Sequence, residues 1–554
     1  MGARRQLILA ACCTGLGLSA QISGAADSRT EAGASIYLRG QLGSGAPLEG
    51  TRRDAPSAKG TEVACVNCHQ RSGLGTSEGY NLNITIPPIT GQYLFHARGA
   101  TSNEAILPYV EWMHGNRDPY TDATLARAIR EGVDSQGRAL HPLMPRFVLG
   151  DADMESLIAY LNELGTRPIP GVTESVLHFA TVITPDTDPN RRTAMLEVMQ
   201  QYFNDKNVFP IGNSRNMRTS GKTEYAKSMF MSHRQWQLHV WELSGVASTW
   251  PAQLDKFMAA QPVLALVSGL GGSDWAPVEH FCERQQLPCL FPNVDVPAED
   301  KRDFYSLYFS RGVLLEAELI AHQIANSSAN GPTTTVQQIY RGGDRGEAGA
   351  AALTAALKSN GIAASSRSLP PGGVGRGVAA AVNQASRAGS VLVLWLRPED
   401  LKALGDMPAA PATVFVSGLM GGLEHAPLPP AWRERVRMAY PYDLPQNRDL
   451  RMRYALSWFS IRHIPVTDEE LQTNTFLACG LLAETLSHMA DNFAQPFMVE
   501  LLQTSIERRL INTGYYPRLA LGWNQHFASK GGYIVHFAPP DGSRVVADSD
   551  WVTP

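Results

Sequence analysis

The chain has no strong charge of either sign. Its 554 residues include 48 Lys and Arg against 52 Asp and Glu, which leaves a formal net charge of -4 at pH 7. Neither a polybasic tail nor an acidic run is present. Because phosphate binding needs a concentrated basic face, this balance argues against nucleic acid as the main partner.

Long apolar runs are also scarce. After the N-terminal segment no stretch reaches the roughly 18 apolar residues of a membrane-spanning helix. The start itself has Arg4 and Arg5, an apolar stretch from Leu7 to Ala20, and small residues from Ser23 to Ala26. This pattern predicts a signal peptide over residues 1–25 and a mature periplasmic protein. A lipoprotein with its lipid on Cys12 is the less favoured alternative, because cleavage there leaves a short apolar region.

Cysteine is rare, with 7 in the chain. Cys65 and Cys68 stand in Cys65-Val66-Asn67-Cys68-His69, which has the spacing of a haem c attachment sequence. Two thiols at this spacing bind the two vinyl groups, and the adjacent imidazole of His69 reaches the iron. A redox dithiol or half a zinc site is less favoured, because the surroundings are not thioredoxin-like and a further Cys pair is missing. The single attachment sequence predicts one covalent haem c.

Met144 is the candidate for the second axial ligand, since thioether sulfur suits an electron-transfer haem. Pro142 and Pro145 flank it and favour an extended loop. The following segment predicts a helix that begins near Asp151, with one apolar face formed by Met154, Leu157, Ile158, Leu161 and Leu164. Four other side chains compete as ligands and are ranked below Met144, namely Met113, His114, His141 and Met154.

On these residues, segment 32–165 resembles a small monohaem c-type cytochrome of the methionine and histidine class. The resemblance implies an all-α domain in which the final helix packs across a helix near the N-terminus. The segment Gly33 to Leu38 is available as that partner. About 25 residues rich in Gly, Pro and Ser separate it from Cys65, so the helix contact stays open.

Segment 166–173 breaks the helical periodicity and is predicted to be a linker. From residue 174 to 554 short apolar strands alternate with helical segments, for example 192–207 and 348–358, which predicts a doubly wound α/β domain. The predicted strands are 176–183, 236–240, 263–267, 288–291, 336–340, 391–396 and 414–416.

The second domain resembles the type I periplasmic binding proteins, the class that includes the leucine, isoleucine and valine receptors. The resemblance rests on 264–273, 290–295 and 339–347, with 519–522 and 533–537 as closing strands. It implies a two-lobed α/β fold with a small-molecule ligand between the lobes.

Ligands in such folds bind at the carboxyl ends of strands. The predicted pocket residues are Ser268, Gly272, Ser273, Asn293, Asp295, Tyr340, Arg345, Arg397 and Ser417. Arg345 stands where amino-acid-binding members of this class commonly have a tyrosine, and this difference argues against an amino acid as the ligand. Arg345 and Arg397 suit an anion, although such arginines are more often solvated. The glycine turn at 269–273 either binds a ligand or only closes a strand-helix connection, and it lacks the full dinucleotide fingerprint.

The remaining cysteines leave a question open. Cys282 and Cys289 form a disulfide in the periplasm only if their Cα atoms approach within about 7 Å. Cys479 lies in an apolar helical segment and is interpreted as a buried hydrophobe. The oligomeric state is left open as well.

Three functions follow from these patterns. The favoured one is a periplasmic haem c electron carrier fused to a small-molecule-binding domain, which senses a solute or accepts electrons from a dehydrogenase or another cytochrome. The alternative is a solute receptor of an ABC-type uptake system, with a membrane permease as partner and the cytochrome as an accessory. The third is a haem oxidoreductase that acts on the bound ligand. Met144 counts against this function, because a methionine ligand would fill the coordination position on the iron that such an enzyme needs open. A non-enzymatic role is therefore preferred.

Overall fold

A computed structural model describes most of the chain. The described residues are 16–53, 55–78, 84–95, 117–208, 234–272, 274–297, 303–328, 335–387, 389–408, 413–489, 492–508, 513–538, 542 and 544–554. The start of the predicted signal peptide, with Cys12, lies outside them, as do Met113, His114 and Ser273. Within these ranges no helix has the length and apolar character to cross a membrane.

The chain divides into two compact units. Among the described residues, the first comprises those within 16–169 and 489–497, and the second comprises those within 170–208, 234–488 and 498–554. The first boundary falls inside the segment 166–173 that the sequence predicts as a linker.

The described residues of the first unit form five α-helices. They are α1 (Leu16–Arg39), α2 (Val66–His69), α3 (Gly91–Phe95), α4 (Asp122–Glu131) and α5 (Asp151–Glu163). The predicted helix contact forms, because α1 packs on α5 and buries Ile36 and Tyr37 completely. Close approach requires a glycine, since a Cβ on Gly33 would lie 2.0 Å from the Ser156 carbonyl oxygen. The helix predicted after Met144 begins at Asp151, with Gly150 as its N-cap.

Two small antiparallel sheets make the first unit differ from the expected all-α domain. Strands β1 (Glu49–Thr51), β2 (Ala58–Lys59) and β5 (Arg146–Val148) form one sheet in the order β2-β1-β5. Strands β3 (Thr76–Glu78) and β4 (Ile84–Ile86) form the other. The pairing of β1 with β5 joins the segment before the attachment sequence to the segment just after Met144.

Two sheets form in the described residues of the second unit. The first is parallel, has the order β10-β9-β8-β6-β7, and consists of β6 (Val176–Ile183), β7 (Gln235–Glu242), β8 (Ala265–Val267), β9 (Cys289–Leu290) and β10 (Ser306–Leu307). The second has the order β12-β11-β13-β14-β15-β16-β17, and consists of β11 (Val336–Arg341), β12 (Ala364–Leu369), β13 (Val391–Trp395), β14 (Thr413–Ser417), β15 (Val436–Tyr440), β16 (Tyr533–Ala538) and β17 (Arg544–Ala547). Its strands are parallel up to β15, whereas β16 and β17 are antiparallel.

Helices cover both sheets. They are α6 (Pro189–Val208), α7 (Trp250–Ala260), α8 (Ala276–Gln285), α9 (Val313–Ser328), α10 (Gly346–Ser359), α11 (Val378–Ala385), α12 (Pro398–Leu401), α13 (Gly418–Gly421), α14 (Pro430–Arg433), α15 (Pro445–Ile461), α16 (Glu469–Met489) and α17 (Gln495–Ser505). Because helices lie on both faces, central strands bury all of their side chains, as β13 does. The predicted doubly wound α/β fold is confirmed.

The closing strands differ from the prediction. The strand predicted at 533–537 is β16, but the one predicted at 519–522 is wrong. There the Ala520 N–H donates to the Ala528 carbonyl at 2.8 Å, so the backbone bonds to a neighbouring loop and does not enter a sheet ladder. The last strand is instead β17.

The three buried cysteines of the second unit carry free thiols. Cys282 on α8 and Cys289 on β9 lie within hydrogen-bond contact of each other, and burial raises the pKa of Cys282. Cys479 is fully buried in α16, as the sequence predicts.

Candidate functional site

A cavity of about 610 Å³ opens at the carboxyl ends of the strands of the second unit. This volume is in the range of small-molecule sites. The loops after β6, β8 and β9 of one sheet form one wall, with Asp186, Thr187, Asp188, Arg191, Leu270, Gly271, Gly272 and Asp295. The loops after β11 and β13 of the other sheet form the opposite wall, with Gly343, Arg345, Arg397, Pro398 and Glu399. We call this cavity the cleft.

The two walls of the cleft differ in charge. The wall on the first sheet has three carboxylates, on Asp186, Asp188 and Asp295, and one guanidinium, on Arg191. The Arg191 guanidinium is itself paired with Asp468 at 2.9 Å. The wall on the second sheet has the guanidinium groups of two arginines and one carboxylate. A solute in the cleft therefore faces acidic groups on one side and basic groups on the other.

One ion pair joins the two walls. The Arg345 guanidinium at the start of α10 contacts the Asp295 carboxylate in the loop after β9. The Arg345 side chain is 13% exposed and that of Asp295 is 26% exposed. Among the described residues no acceptor meets the buried Nε of Arg345. The pair therefore leaves part of the guanidinium unused.

Arg397 has a partner on its own wall. Its Nε donates to the Asp344 carboxylate at 2.6 Å, and its second nitrogen lies 2.5 Å from the same group. Burial opposes the ionisation of Asp344, but the hydrogen bond and the charge of Arg397, together with the N–H and the charge of Arg345, outweigh it and lower the pKa of Asp344. The side chain of Arg397 is half exposed and its charge is available to a solute.

Gly272 packs closely against Thr184 and Asp186 in the acidic wall. Its N–H donates to the Thr184 hydroxyl at 3.1 Å, and that hydroxyl donates to the Asp186 carboxylate at 2.6 Å. A Cβ on Gly272 would lie 1.7 Å from a carboxylate oxygen of Asp186. The glycine turn thus positions an acidic side chain as well as closing a strand-helix connection.

Four of the nine predicted pocket residues line the cleft, namely Gly272, Asp295, Arg345 and Arg397. Ser268 is buried below it, where its hydroxyl donates to Thr475 at 3.1 Å and accepts from Asn293 at 3.0 Å. Ser417 is buried and donates to Glu316, and Tyr340 packs against the core of the second sheet. Ser273 lies outside the described residues.

The lining residues that sequence reasoning missed include three charged residues after β6, namely Asp186, Asp188 and Arg191. All three follow β6 directly, in the run Pro185-Asp186-Thr187-Asp188 and the start of α6. A cluster of polar residues at the carboxyl end of a predicted strand was the signal available.

A second candidate site lies in the first unit at the attachment sequence. Cys65 is the N-cap of α2, neither Cys65 nor Cys68 is in a disulfide, and His69 is 6% exposed at the end of the helix. The Nδ1 atom of His69 lies 3.1 Å from the Pro87 carbonyl oxygen. Burial lowers the pKa of His69 to about 4, so the ring is neutral. With Nδ1–H bonded to the carbonyl, the Nε2 lone pair is left for a metal.

The attachment sequence is anchored to α1. The hydroxyl of Tyr37 donates to the carbonyl of Gln70 at 2.6 Å, and Gln70 has a positive φ of 65° just after the helix. The two thiols and the imidazole thus occupy one short helix that is fixed at its end to the core. This arrangement fits covalent attachment of haem c.

Met144 packs against the hydrophobic core that also contacts Cys65 and Val66. Its loop is held by guanidinium groups, since Arg146 donates to the Met144 and Leu140 carbonyls and Arg52 donates to the Leu143 carbonyl at 3.1 Å. The competing His141 is exposed, and Met154 is buried in the face of α5.

The chain was compared with known proteins. No protein-family model matches it, and no curated protein sequence matches it. Among solved structures, a branched chain amino acid ABC transporter from Thermus thermophilus with bound valine has a TM-score of 0.51 and 10% identity, and the match covers 69% of this chain and 97% of that chain.

A fatty acid ABC transporter substrate-binding protein from Thermomonospora curvata has a TM-score of 0.48 and 14% identity, with 70% of this chain and 95% of that chain covered. A possible leucine/isoleucine/valine-binding protein from Rhodopirellula baltica has a TM-score of 0.46 and 12% identity, with 69% and 98% covered. At such identities the Thermus likeness shows the fold alone. The second unit has the two-lobed α/β fold of the type I periplasmic binding proteins.

Proposed function

We propose that this chain is an exported receptor that binds a small polar solute in the cleft and delivers it to an ABC-type membrane permease. The single observation that carries the proposal is the cleft of about 610 Å³ with ionic side chains on both walls. The Thermus structure with bound valine supports it, because that fold holds a small solute. This receptor role takes precedence over the electron-carrier role that the sequence favoured.

The lining supports a solute that is more polar than valine. Among its side chains only Leu270 and Pro398 are apolar beyond Cβ, whereas seven carry an ionisable group. A branched aliphatic group gains free energy mainly by burying apolar surface against an apolar wall. Ionic walls instead reward hydrogen-bonding and charged groups on the solute.

A thermal-shift screen of the full chain against organic acids, amino acids, polyamines and sugars tests this proposal. We expect at least one polar solute to raise the melting temperature of the wild type. The same solute should have a smaller effect on the cleft variant Arg397→Gln, which removes a half-exposed cationic group from the lining. Arg387→Gln is the matched control, because Arg387 is exposed and outside the cleft lining. Receptor function is wrong if no solute acts, or if the cleft variants Arg397→Gln and Arg345→Gln both respond as the wild type does.

We also propose that the first unit binds one haem c, which serves electron transfer with a periplasmic dehydrogenase or another cytochrome. The observation that favours this is the buried His69 with its Nδ1 held by the Pro87 carbonyl. Cys65 and Cys68 would hold the haem covalently, and the side chains of His69 and Met144 would bind its iron. When bound, the haem supplies one-electron chemistry.

The protein residues have defined roles in this second proposal. The Pro87 carbonyl selects the tautomer of His69, and the carbonyl bonds from Arg146 and Arg52 keep the Met144 loop in place. Iron binding by both His69 and Met144 would disfavour the oxidoreductase alternative, which needs an open position on the iron.

Absorption spectroscopy of the periplasmically expressed full chain tests the haem. We expect a covalent haem in the wild type, loss of covalent attachment in Cys68→Ala, and normal attachment in the control Cys479→Ala. Met144→Ala should remove the weak far-red band that the resemblance to cytochromes c implies. A wild type without covalent haem contradicts the proposal, and an unchanged spectrum of Met144→Ala removes that residue as the ligand.

A further inference from the structure

We propose that Arg345 is the carboxylate-binding residue of the cleft, and that Asp295 occupies it until a small monocarboxylate solute displaces the Asp295 side chain. This inference rests on the proposed receptor function and names its solute class.

The placement of the two residues is the first step. Asp295 follows β9 in the first sheet, and Arg345 follows β11 in the second. Their ion pair therefore crosses the cleft from one wall to the other. Both side chains also line the space that a solute would fill. A carboxylate of the protein thus occupies the position beside Arg345 that a carboxylate of the solute would take.

The surrounding charges single out Arg345 among the arginines of the cleft. Arg191 and Arg397 also interact electrostatically with Asp295. Each of them, however, has a nearer carboxylate, on Asp468 and on Asp344 respectively. Arg345 differs from both, because its ion pair in the described part of the chain is with Asp295 on the opposite wall. Displacing Asp295 thus frees one guanidinium and leaves the other two paired.

The hydrogen bonding of Arg345 is incomplete. The contact with Asp295 uses one terminal nitrogen, and the buried Nε has no acceptor among the described residues. A guanidinium binds a carboxylate best through two parallel N–H donors. A free solute carboxylate can orient to meet both donors, whereas Asp295 is constrained by its loop. This difference gives the solute an advantage over the internal group.

The acidic wall limits the solute to one carboxylate. Asp186 and Asp188 line the cleft opposite Arg345, and Glu399 lies on its own wall. A second anionic group on the solute would meet these carboxylates, and like charges at close range are unfavourable. We therefore expect monocarboxylates with a polar or cationic remainder to bind, and dicarboxylates to bind weakly.

Calorimetry on the full chain tests the inference with a panel of hydroxy acids and amino acids, each paired with its own amide, together with succinate and putrescine. We expect a monocarboxylate to bind while its amide does not. Asp295→Asn removes the competing charge and should tighten carboxylate binding by about tenfold, and Arg345→Gln should abolish it. The matched control is Asp255→Asn, which breaks the exposed pair of Asp255 with Arg284 outside the cleft.

The outcomes separate this inference from the receptor function. If a solute binds but Asp295→Asn leaves its affinity unchanged or weakens it, the inference is overturned and the receptor function stands. The same holds if only putrescine or neutral solutes bind. If no solute binds the wild type or any variant, both proposals fall. Asp295→Ser is a second variant that keeps the test valid if Asp295→Asn does not fold.

Discussion

Glu316 on α9 is a fully buried carboxyl group in the second unit. The hydroxyl of Ser417 and the N–H of Leu419 donate to it, the latter at 2.9 Å. Burial outweighs these bonds and raises the pKa of Glu316 to about 8. The folded protein therefore holds this proton over a pH range in which the unfolded chain has lost it.

We predict that the free energy of unfolding falls as pH rises from about 4.5 to about 8. The stabilisation from the protonated Glu316 carboxyl is fully present below the pKa of Glu316 in the unfolded chain. It is lost as the pH rises through the pKa of Glu316 in the folded protein. The slope from one proton is at most about 1.4 kcal/mol per pH unit. Glu316→Gln should flatten the profile measured by urea unfolding between pH 5 and pH 8. Glu318→Gln on the same helix should keep it. Parallel profiles for the wild type and Glu316→Gln would contradict the prediction.

Arg341 and Asp400 form a second buried charged feature. Two guanidinium nitrogens bind the two carboxylate oxygens at 2.9 and 2.6 Å, and the side chains are 8% and 4% exposed. Asp400 also accepts from the Gly375 N–H at 2.7 Å. Removing the arginine would leave an uncompensated buried carboxylate.

Arg341→Met should lower the free energy of unfolding by about 3 kcal/mol, because breaking a buried ion pair strands its partner. The comparison is Arg437→Met, which breaks the more exposed pair with Asp548 and should cost at most about 1 kcal/mol. Chemical unfolding of both variants measures the difference. Equal losses would show that the burial of the Arg341 pair has no energetic effect.

At the scale of elements, the contact of α1 with α5 organises the first unit. Gly33 lies against the Ser156 carbonyl and the Tyr160 side chain, and the rings of Tyr37 and Tyr160 are 5.2 Å apart. The same α1 residue Tyr37 bonds to the end of α2. The helix contact therefore supports the position of the attachment sequence.

Gly33→Val should separate the two helices and destabilise the first unit by about 2 kcal/mol or more, because overpacking at a helix contact displaces backbone. We expect less haem incorporated per chain and a lower melting temperature followed at the Soret band. Gly150→Ala is the control, since a Cβ at Gly150, the N-cap of α5, has nothing within 4 Å. Normal haem content in Gly33→Val would mean that the contact is not needed.

At the scale of the whole molecule, the chain comprises two compact units. A solute that binds the cleft stabilises only the folded form of the unit that contains it. At a concentration of 100 times the Kd this stabilisation is about 2.7 kcal/mol. The two proposed activities can therefore be followed separately in one sample.

We predict that a cleft-binding solute raises the melting temperature of the second unit and leaves the haem-detected transition of the first unit in place. Calorimetry combined with Soret absorbance measures both transitions. Arg397→Gln, a cleft variant, should reduce the shift. If both transitions move together by the same amount, the units unfold as one cooperative body.

Local sequence determined much of this protein. The motif from Cys65 to His69 spans five consecutive residues, and the structure places Cys68 and His69 on α2 with Cys65 as its N-cap. Apolar runs such as Val176–Ile183 and Val391–Trp395 predicted strands with nearly correct ends, because strands covered by helices on both faces need apolar residues throughout. The alternation of such runs with amphipathic helices was enough to predict the α/β fold.

Only the tertiary structure decided which side chains meet. Asp186, Asp295 and Arg345 lie far apart in the chain and converge because parallel strands of two sheets end at one cleft. Ser268 and Ser417 also follow the strand pattern, but hydrogen bonds to Thr475 and Glu316 turn them into the interior. A position at the end of a strand predicts that a residue lies near the site. Whether its side chain faces the cavity or bonds to a partner in the interior depends on contacts between segments that are distant in the sequence.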